Sequence, residues 1–103
     1  MSRTVAYVIR LGPRDRYRHT HTRSGSRILS FRVQYEALID GTWMPVVRYD
    51  TAHGFAHRDL VARDGAVTKT PLFNQSLNEA LTFAESDLKT NWSLYRKRLE
   101  EEM

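Results

Sequence analysis

The sequence predicts an α+β fold in which a four- to five-stranded antiparallel sheet packs against one long C-terminal helix, forming two layers. Residues 28–39 alternate apolar and polar side chains with a period of two, as in a half-buried strand. Residues 76–101 instead repeat apolar side chains every three or four positions, as in an amphipathic helix. The length of 103 residues suits one domain, so we expect residues 1–103 to fold as a single unit.

The N-terminal third predicts one strand followed by a loop. Residues 4–11 place alternate apolar side chains on one face: Val5, Tyr7, Ile9 and Leu11. Gly12 and Pro13 end this strand. Residues 13–27 contain almost no aliphatic side chains. We therefore interpret them as a basic loop.

The central part predicts a hairpin, with strands at 28–39 and 43–50 joined around Asp40 and Gly41. A two-residue loop would pair odd with even positions and bury Arg48 and Asp50 without partners, at a cost of several kcal/mol. A three-residue loop pairs odd positions with odd ones at little entropic cost, and we predict this longer loop. It places Trp43, Val47 and Tyr49 on the apolar face, and leaves on the other face a polar patch of Arg32, Gln34, Glu36, Arg48 and Asp50.

The last part predicts a second hairpin and the helix. Strands at 57–63 and 66–72 are separated by Asp64 and Gly65. Ser76 and Glu79 form a capping-box pattern, which begins a helix that we expect to span 76–101. Its apolar stripe consists of Leu77, Ala80, Leu81, Ala84, Leu88, Trp92, Tyr95 and Leu99. Because one helix covers one face of a sheet, the other face stays open, and we expect function there.

The composition excludes several classes of protein. The sequence has no cysteine, which rules out disulfides, thiolate nucleophiles and cysteine-ligated metal sites and suits a reducing cytoplasm. It has no run of about 18 apolar residues, so we expect no membrane partner, and Met1 to Arg3 lead into a strand rather than a signal peptide. Cationic charge concentrates early: residues 1–34 carry eight Arg against one Asp. Arginine in such excess favours forked contacts with phosphate.

The densest group of reactive side chains lies between Arg48 and Asp59. Its candidate catalytic residues are Arg48, Asp50, His53, His57 and Arg58. Two imidazoles could serve as the base and the acid that cleavage of an RNA phosphodiester requires. A carboxylate would orient one imidazole, and guanidinium groups would stabilise charge on the phosphate.

Two other interpretations of this group remain open. Asp50, His53 and His57 have the identities of zinc, manganese or iron ligands, although their spacing around Gly54 matches no helix-borne metal motif. The same side chains could also only stabilise the turn through local hydrogen bonds. We expect no metal and no cofactor.

A second group, in the predicted loop, suits a nucleic-acid backbone. Arginines there alternate with an aromatic ring that could stack on an unpaired base. The candidate nucleic-acid-binding residues are Arg14, Arg16, Tyr17, Arg18, His19, His21, Arg23 and Arg27, together with Arg32 of the following strand. An acidic protein partner would suit the same charge, and so would a solvated loop with no partner.

Several segments resemble a family of short uncharacterised bacterial proteins. They are residues 34–36, the stretch 46–59 with its Arg-Tyr-Asp-Thr-Ala-His-Gly and His-Arg-Asp sequence, 69–72 and 87–92. The Arg-Tyr-Asp-x-Ala-His turn is more distantly similar to the Arg-Trp-Asp-Asn-Ala-x-His pattern of TumE-type toxins of toxin–antitoxin pairs. The resemblance implies a cytoplasmic protein with a helix-turn-helix antitoxin as partner, and Arg48, Asp50, His53 and His57 as working residues.

Two functions follow as hypotheses. The first is a metal-independent endoribonuclease, the RNA-cleaving toxin of a toxin–antitoxin pair. The second is a non-catalytic module that binds nucleic acid or a protein within a larger complex. Exposed strand edges would also allow a homodimer.

Overall fold

Six antiparallel strands, hydrogen-bonded in chain order, form one sheet in the computed structural model, which describes residues 1–72 and 75–102. The strands are β1 Arg3–Gly12, β2 Asp15–Ser24, β3 Arg27–Ile39, β4 Thr42–Asp50, β5 His57–Val61 and β6 Val67–Pro71; a 3₁₀ turn spans Ala52–Gly54, and the helix α1 spans Leu77–Glu101. The α+β class with an antiparallel sheet and one C-terminal helix is confirmed. The expected number of four to five strands is wrong by at least one.

The additional strand is β2, which occupies the segment predicted to be a basic loop. It pairs with β1 on one side and β3 on the other. Its Tyr17 and His19 are buried, whereas Arg18 and Thr20 between them are exposed. The period of two is therefore present, but its buried positions carry polar aromatic side chains. A search for aliphatic side chains misses such a strand, because its buried side chains are polar and contact the helix: Tyr17 donates to Glu85, and His19 Nδ1 lies 3.2 Å from the same carboxylate oxygen.

The hairpin between β3 and β4 solves the pairing problem differently from our prediction. Asp40 and Gly41 both have positive φ (50° and 79°) and form a two-residue turn, so the predicted longer loop is wrong. Past Pro45, the register shifts by one residue, and Val46 has no partner of its own in β3. This β-bulge changes the pairing from odd–even to odd–odd and thereby keeps Arg48 out of the core.

The bulge also decides which β4 side chains are buried. Val47 and Tyr49 lie in the core as expected. Trp43 precedes the bulge and pairs with Leu38, so it points to the opposite face, and its predicted place on the apolar face is wrong.

The helix packs against β3 and β4 and completes the core. Ser76 caps it, since its hydroxyl accepts from the Glu79 amide while the Glu79 carboxylate accepts from the Ser76 amide. The predicted apolar stripe lies in the core or packs partly buried against it, with Ala80, Ala84, Leu88 and Leu99 fully buried. The described residues contain no helix with the length and hydropathy needed to cross a membrane.

Because strand side chains alternate between faces, half of them point away from α1. We call this side the open face, since no helix of the described part of the chain covers it. Its strand positions include Arg10, Arg16, Arg18, Thr20, Arg32, Gln34, Glu36, Trp43, Arg48, Asp50, His57, Asp59 and Lys69.

Candidate functional site

Arginine side chains cross the open face from strand to strand. Arg10 of β1 pairs with Arg16 of β2, and Arg18 of β2 pairs with Gln34 of β3. Gln34 pairs in turn with Arg48 of β4. The strand register therefore brings together cationic side chains that are up to 38 positions apart in the sequence (48 − 10).

A chain of hydrogen bonds orients the side chains in the middle of the open face, on β2, β3 and β4. Arg48 Nε donates to Gln34 Oε1 at 2.8 Å, and Gln34 Nε2 donates to Glu36 Oε2 at 2.7 Å. Arg16 Nε donates to the other oxygen of Glu36, also at 2.8 Å. A shallow pocket of about 330 Å³ lies beside these groups, lined by Arg18, Thr20, Arg32, Gln34 and Glu36. The guanidinium groups of Arg18 and Arg32 line this pocket, and Arg32 Nη2 makes only a long contact of 3.5 Å with Gln34 Oε1.

Trp43 adds an aromatic ring to the same face. The Arg16 guanidinium carbon lies 4.0 Å from the ring centroid of Trp43, and that of Arg10 lies 5.7 Å from it. Both distances are in the range of cation–π attraction. Guanidinium groups beside an indole are surfaces on which a nucleic-acid base can stack.

Acidic and imidazole side chains meet at the β4–β5 end of the open face. His57 Nε2 lies 2.8 Å from Asp50 Oδ1 and 3.7 Å from Asp59 Oδ1. Lys69 Nζ lies 3.2 Å from Asp59 Oδ1, and Arg48 approaches the other Asp59 oxygen at 3.9 Å. His57 is 1% exposed and Asp59 5% exposed, so these two side chains are almost closed to solvent, whereas Asp50 and Lys69 are partly exposed.

The structure brings together only part of the predicted catalytic set. Arg48, Asp50 and His57 share the open face. Arg58 lies between His57 and Asp59 on β5 and points the other way, where its Nη1 lies 3.5 Å from the Tyr95 hydroxyl oxygen. It therefore does not share a face with His57. His53 falls in the 3₁₀ turn, and its side chain lies outside the described part of the structure.

The predicted nucleic-acid set is also divided. Arg16, Arg18 and Arg32 lie on the open face. Arg14 and Arg27 are exposed at the two ends of the sheet, and Arg23 donates to the Gly25 carbonyl at 3.1 Å. The three aromatic members point towards the helix: Tyr17, His19 and His21. Tyr17 is fully buried and so is not placed to stack on a base, contrary to our expectation.

Those three rings belong to a cluster around Glu85 of α1. Tyr17 and Tyr7 each donate to Glu85 Oε2 at 2.8 Å, and His19 Nδ1 lies 3.2 Å from the same oxygen. Burial, and then the bond to Glu85, raises the pKa of both tyrosines, while burial lowers the pKa of His19. Burial alone would raise the pKa of Glu85, but the hydrogen bonds from the two tyrosines, together with the nearby His19 and Lys89, lower this pKa. This cluster ties β1 and β2 to the helix.

The sequence reasoning missed four residues of the open face: Arg10, Trp43, Asp59 and Lys69. The alternation in residues 4–11 already places Arg10 opposite the apolar side chains. Trp43 could have been found by assuming the two-residue turn at Asp40 and Gly41, because Trp43 precedes the bulge. Asp59 and Lys69 pair across β5 and β6, and nothing in the sequence sets that register.

This face can hold an anionic, partly aromatic ligand by charge and stacking. Acid–base chemistry is less accessible, since the imidazole of His57 on this face is buried next to the carboxylates of Asp50 and Asp59. The chain belongs to the family of the domain of unknown function DUF7718, whose model matches residues 1–103 and so includes the arginine-rich third. No curated protein and no solved structure matches the chain. Similarity to TumE-type toxins stays a prediction.

Proposed function

We propose that the open face binds single-stranded nucleic acid, RNA above all, and that the protein acts as a nucleic-acid-binding module. One observation carries this proposal: five arginines share an uncovered sheet face with an aromatic ring. They are Arg10, Arg16, Arg18, Arg32 and Arg48, beside Trp43.

The arginines of the open face differ in whether acidic side chains already pair with them. Arg16 pairs with Glu36, and Arg48 is held by Gln34 and faces Asp59. Arg18 and Arg32 are exposed and form no ion pair with any described residue. Phosphate groups would therefore contact these two first, because no internal ion pair has to break.

Stacking favours a single strand over a duplex. A base can stack on an indole or a guanidinium plane only when it is unpaired, and each such contact contributes about 1–3 kcal/mol. Reading a duplex usually needs a helix or a ribbon that enters a groove. The open face offers the strands of a sheet and side chains that stack.

The experiment is fluorescence anisotropy with a labelled single-stranded RNA of about 12 nucleotides, for wild type and for Arg18→Ala and Arg32→Ala. Each variant should weaken binding several-fold and lower the salt slope by roughly 0.7, as expected for one lost phosphate contact on a single strand. Lys97→Ala is the matched control, since it removes one exposed charge from the helix layer. Equal affinities for Arg18→Ala, Arg32→Ala and Lys97→Ala would refute the proposal.

A second candidate, the metal-independent endoribonuclease of a toxin–antitoxin pair, is favoured by the contact of Asp50 with His57. The Asp50 carboxylate, 2.8 Å from His57 Nε2, can orient the imidazole as a carboxylate orients a catalytic histidine, and Arg48 lies on the same face. Cleavage would require His57 to become accessible to substrate. If the candidate is right, purified protein cleaves RNA in the presence of EDTA, and Asp50→Asn slows cleavage about 10²-fold or more. RNA left intact by folded wild type rules the candidate out, and an antitoxin would then not be the partner to seek.

A further inference from the structure

The group at the β4–β5 end of the open face contains three side chains with metal-ligand chemistry. Asp50, His57 and Asp59 can each offer one ligand atom such that the three atoms lie within 4.8 Å of one another. Two neighbouring strands supply them, because Asp50 pairs with His57 across the sheet and Asp59 follows two positions later. Strand positions fix ligands more firmly than a loop does.

Two side chains of this group, His57 and Asp59, are buried, Asp50 is partly exposed, and one oxygen lacks a hydrogen bond. Asp59 Oδ1 is shielded from solvent and accepts no hydrogen bond of good geometry from the described residues; its nearest cation is Lys69, at 3.2 Å. Buried acceptors usually have such a bond, and the exceptions call for an explanation, such as an ion. His57 Nε2 lies 2.8 Å from Asp50 Oδ1, and metal binding to such a pair replaces a proton.

From this geometry we infer that Asp50, His57 and Asp59 bind one divalent transition-metal ion. Two carboxylate oxygens and one imidazole nitrogen suit Mn²⁺, Fe²⁺ or Zn²⁺. Ligand bonds of about 2.0–2.2 Å place neighbouring ligand atoms roughly 3 Å apart. The contact between His57 and Asp50 already has this length. Asp59 Oδ1 lies 3.7 Å from His57 Nε2, and the three ligand atoms spread over up to 4.8 Å, so the Asp59 side chain has to approach by about one to two ångströms.

Lys69 is the competitor that the ion would displace. Its ammonium group neutralises Asp59, and 44% of its side chain is exposed, so it can move into solvent without disturbing the core. Arg48 is more distant from Asp59 and is held by Gln34. An ion therefore competes mainly with one flexible side chain, and removing that side chain should strengthen metal binding.

The test is calorimetric titration of EDTA-treated, dialysed protein with MnCl₂ and, separately, ZnCl₂. We expect one ion per chain, an affinity at least tenfold lower for Asp59→Asn, and a several-fold higher affinity for Lys69→Met. Asp40→Asn is the control, because Asp40 is an exposed aspartate in the β3–β4 turn. Circular dichroism verifies that each variant is folded.

Lys69→Met keeps the test decisive if Asp59→Asn does not fold, because it leaves all three ligands in place. Absence of binding to wild type and Lys69→Met, or equal affinities for these two proteins, would overturn the inference. RNA affinity of Arg18→Ala is measured independently, so failure of the metal site and failure of the proposed function are distinguishable.

Discussion

Arg16 and Trp43 meet on the open face across the intervening strand β3, with the guanidinium carbon 4.0 Å from the ring centroid. Their contact depends on the two-residue turn at Asp40 and Gly41, which directs Trp43 away from the helix. The turn thus moves a large aromatic ring from the core side to the face on which the arginines lie. The first prediction follows from this placement.

Trp43→Ala should lower the affinity for single-stranded RNA by about 1–3 kcal/mol, or roughly five- to 150-fold, because it removes a stacking surface. Trp43→Phe should retain part of this affinity. In a Trp92→Phe background, the remaining indole fluorescence should change as RNA is added. Trp92 packs partly buried against the core, so Trp92→Phe alone should leave RNA affinity unchanged. Unchanged affinity in Trp43→Ala would contradict a stacking role.

Two tyrosines that share one acceptor form a matched pair for stability. Tyr17 and Tyr7 each donate to Glu85 Oε2 at 2.8 Å, but Tyr17 is 0% exposed and Tyr7 37% exposed. Removing a buried donor loses a hydrogen bond that water does not replace, whereas water can reach Glu85 where Tyr7 is exposed. Tyr17→Phe should therefore lower the free energy of unfolding by about 1–2 kcal/mol, and Tyr7→Phe by less than about 0.5 kcal/mol. Urea unfolding measures both changes. Equal losses in the two variants would show that burial does not determine how much a hydrogen bond to Glu85 contributes to the free energy of unfolding.

The same cluster around Glu85 predicts that the free energy of unfolding decreases as the pH is lowered. The pKa of folded His19 is lowered by burial, so below the ordinary value of about 6.5 the unfolded chain binds a proton that the folded chain does not. The lowered pKa of Glu85 acts in the same direction at lower pH: its contribution is present above about 4.3 and is lost as the pH falls through the folded pKa.

The measurement is urea unfolding of wild type and His19→Gln between pH 7.5 and 5.5 at constant ionic strength. Subtracting the free energy of unfolding of His19→Gln from that of wild type at each pH removes the contribution of the other histidines, which both proteins share. The stability advantage of wild type over His19→Gln should shrink as the pH falls through this window. An advantage independent of pH would mean that His19 keeps its ordinary pKa when folded.

The sequence predicts the fold where side chains are aliphatic and fails where they are polar but buried. The helix and β3 follow from clear periods of apolar residues. β2 does not, because its buried positions carry Tyr17 and His19, whose polar partner Glu85 lies 68 and 66 positions away along the chain (85 − 17 and 85 − 19). No local pattern indicates that partner.

The hairpin shows a second limit of local reasoning. The energetic argument that Arg48 should stay out of the core was correct, and so was the odd–odd pairing of Val33 with Tyr49. The chain reaches that pairing through an extra residue at Val46 rather than a longer loop, so the β4 residues before the bulge, Trp43 among them, lie on the opposite face from the one predicted. For the site, adjacency in sequence was misleading: Arg58 neighbours His57 along the chain but points to the opposite face.

The contact of Arg96 with Asp15 gives the last prediction. Asp15, the first residue of β2, is 3% exposed. Arg96 Nη1 donates to Asp15 Oδ1 at 2.8 Å, and the Tyr35 hydroxyl donates to the same oxygen. Arg96→Met leaves this buried carboxylate without its counter-ion, so the free energy of unfolding should fall by about 3–5 kcal/mol. Asp15→Asn in the Arg96→Met background should recover part of the lost free energy of unfolding, since the buried charge is then removed.

The control uses the same arginine. Glu100 lies 3.6 Å from Arg96 Nε but is 54% exposed, so Glu100→Ala should change the free energy of unfolding by less than about 0.5 kcal/mol. Equal effects of Arg96→Met and Glu100→Ala would show that the Arg96–Asp15 contact does not hold the helix to the sheet.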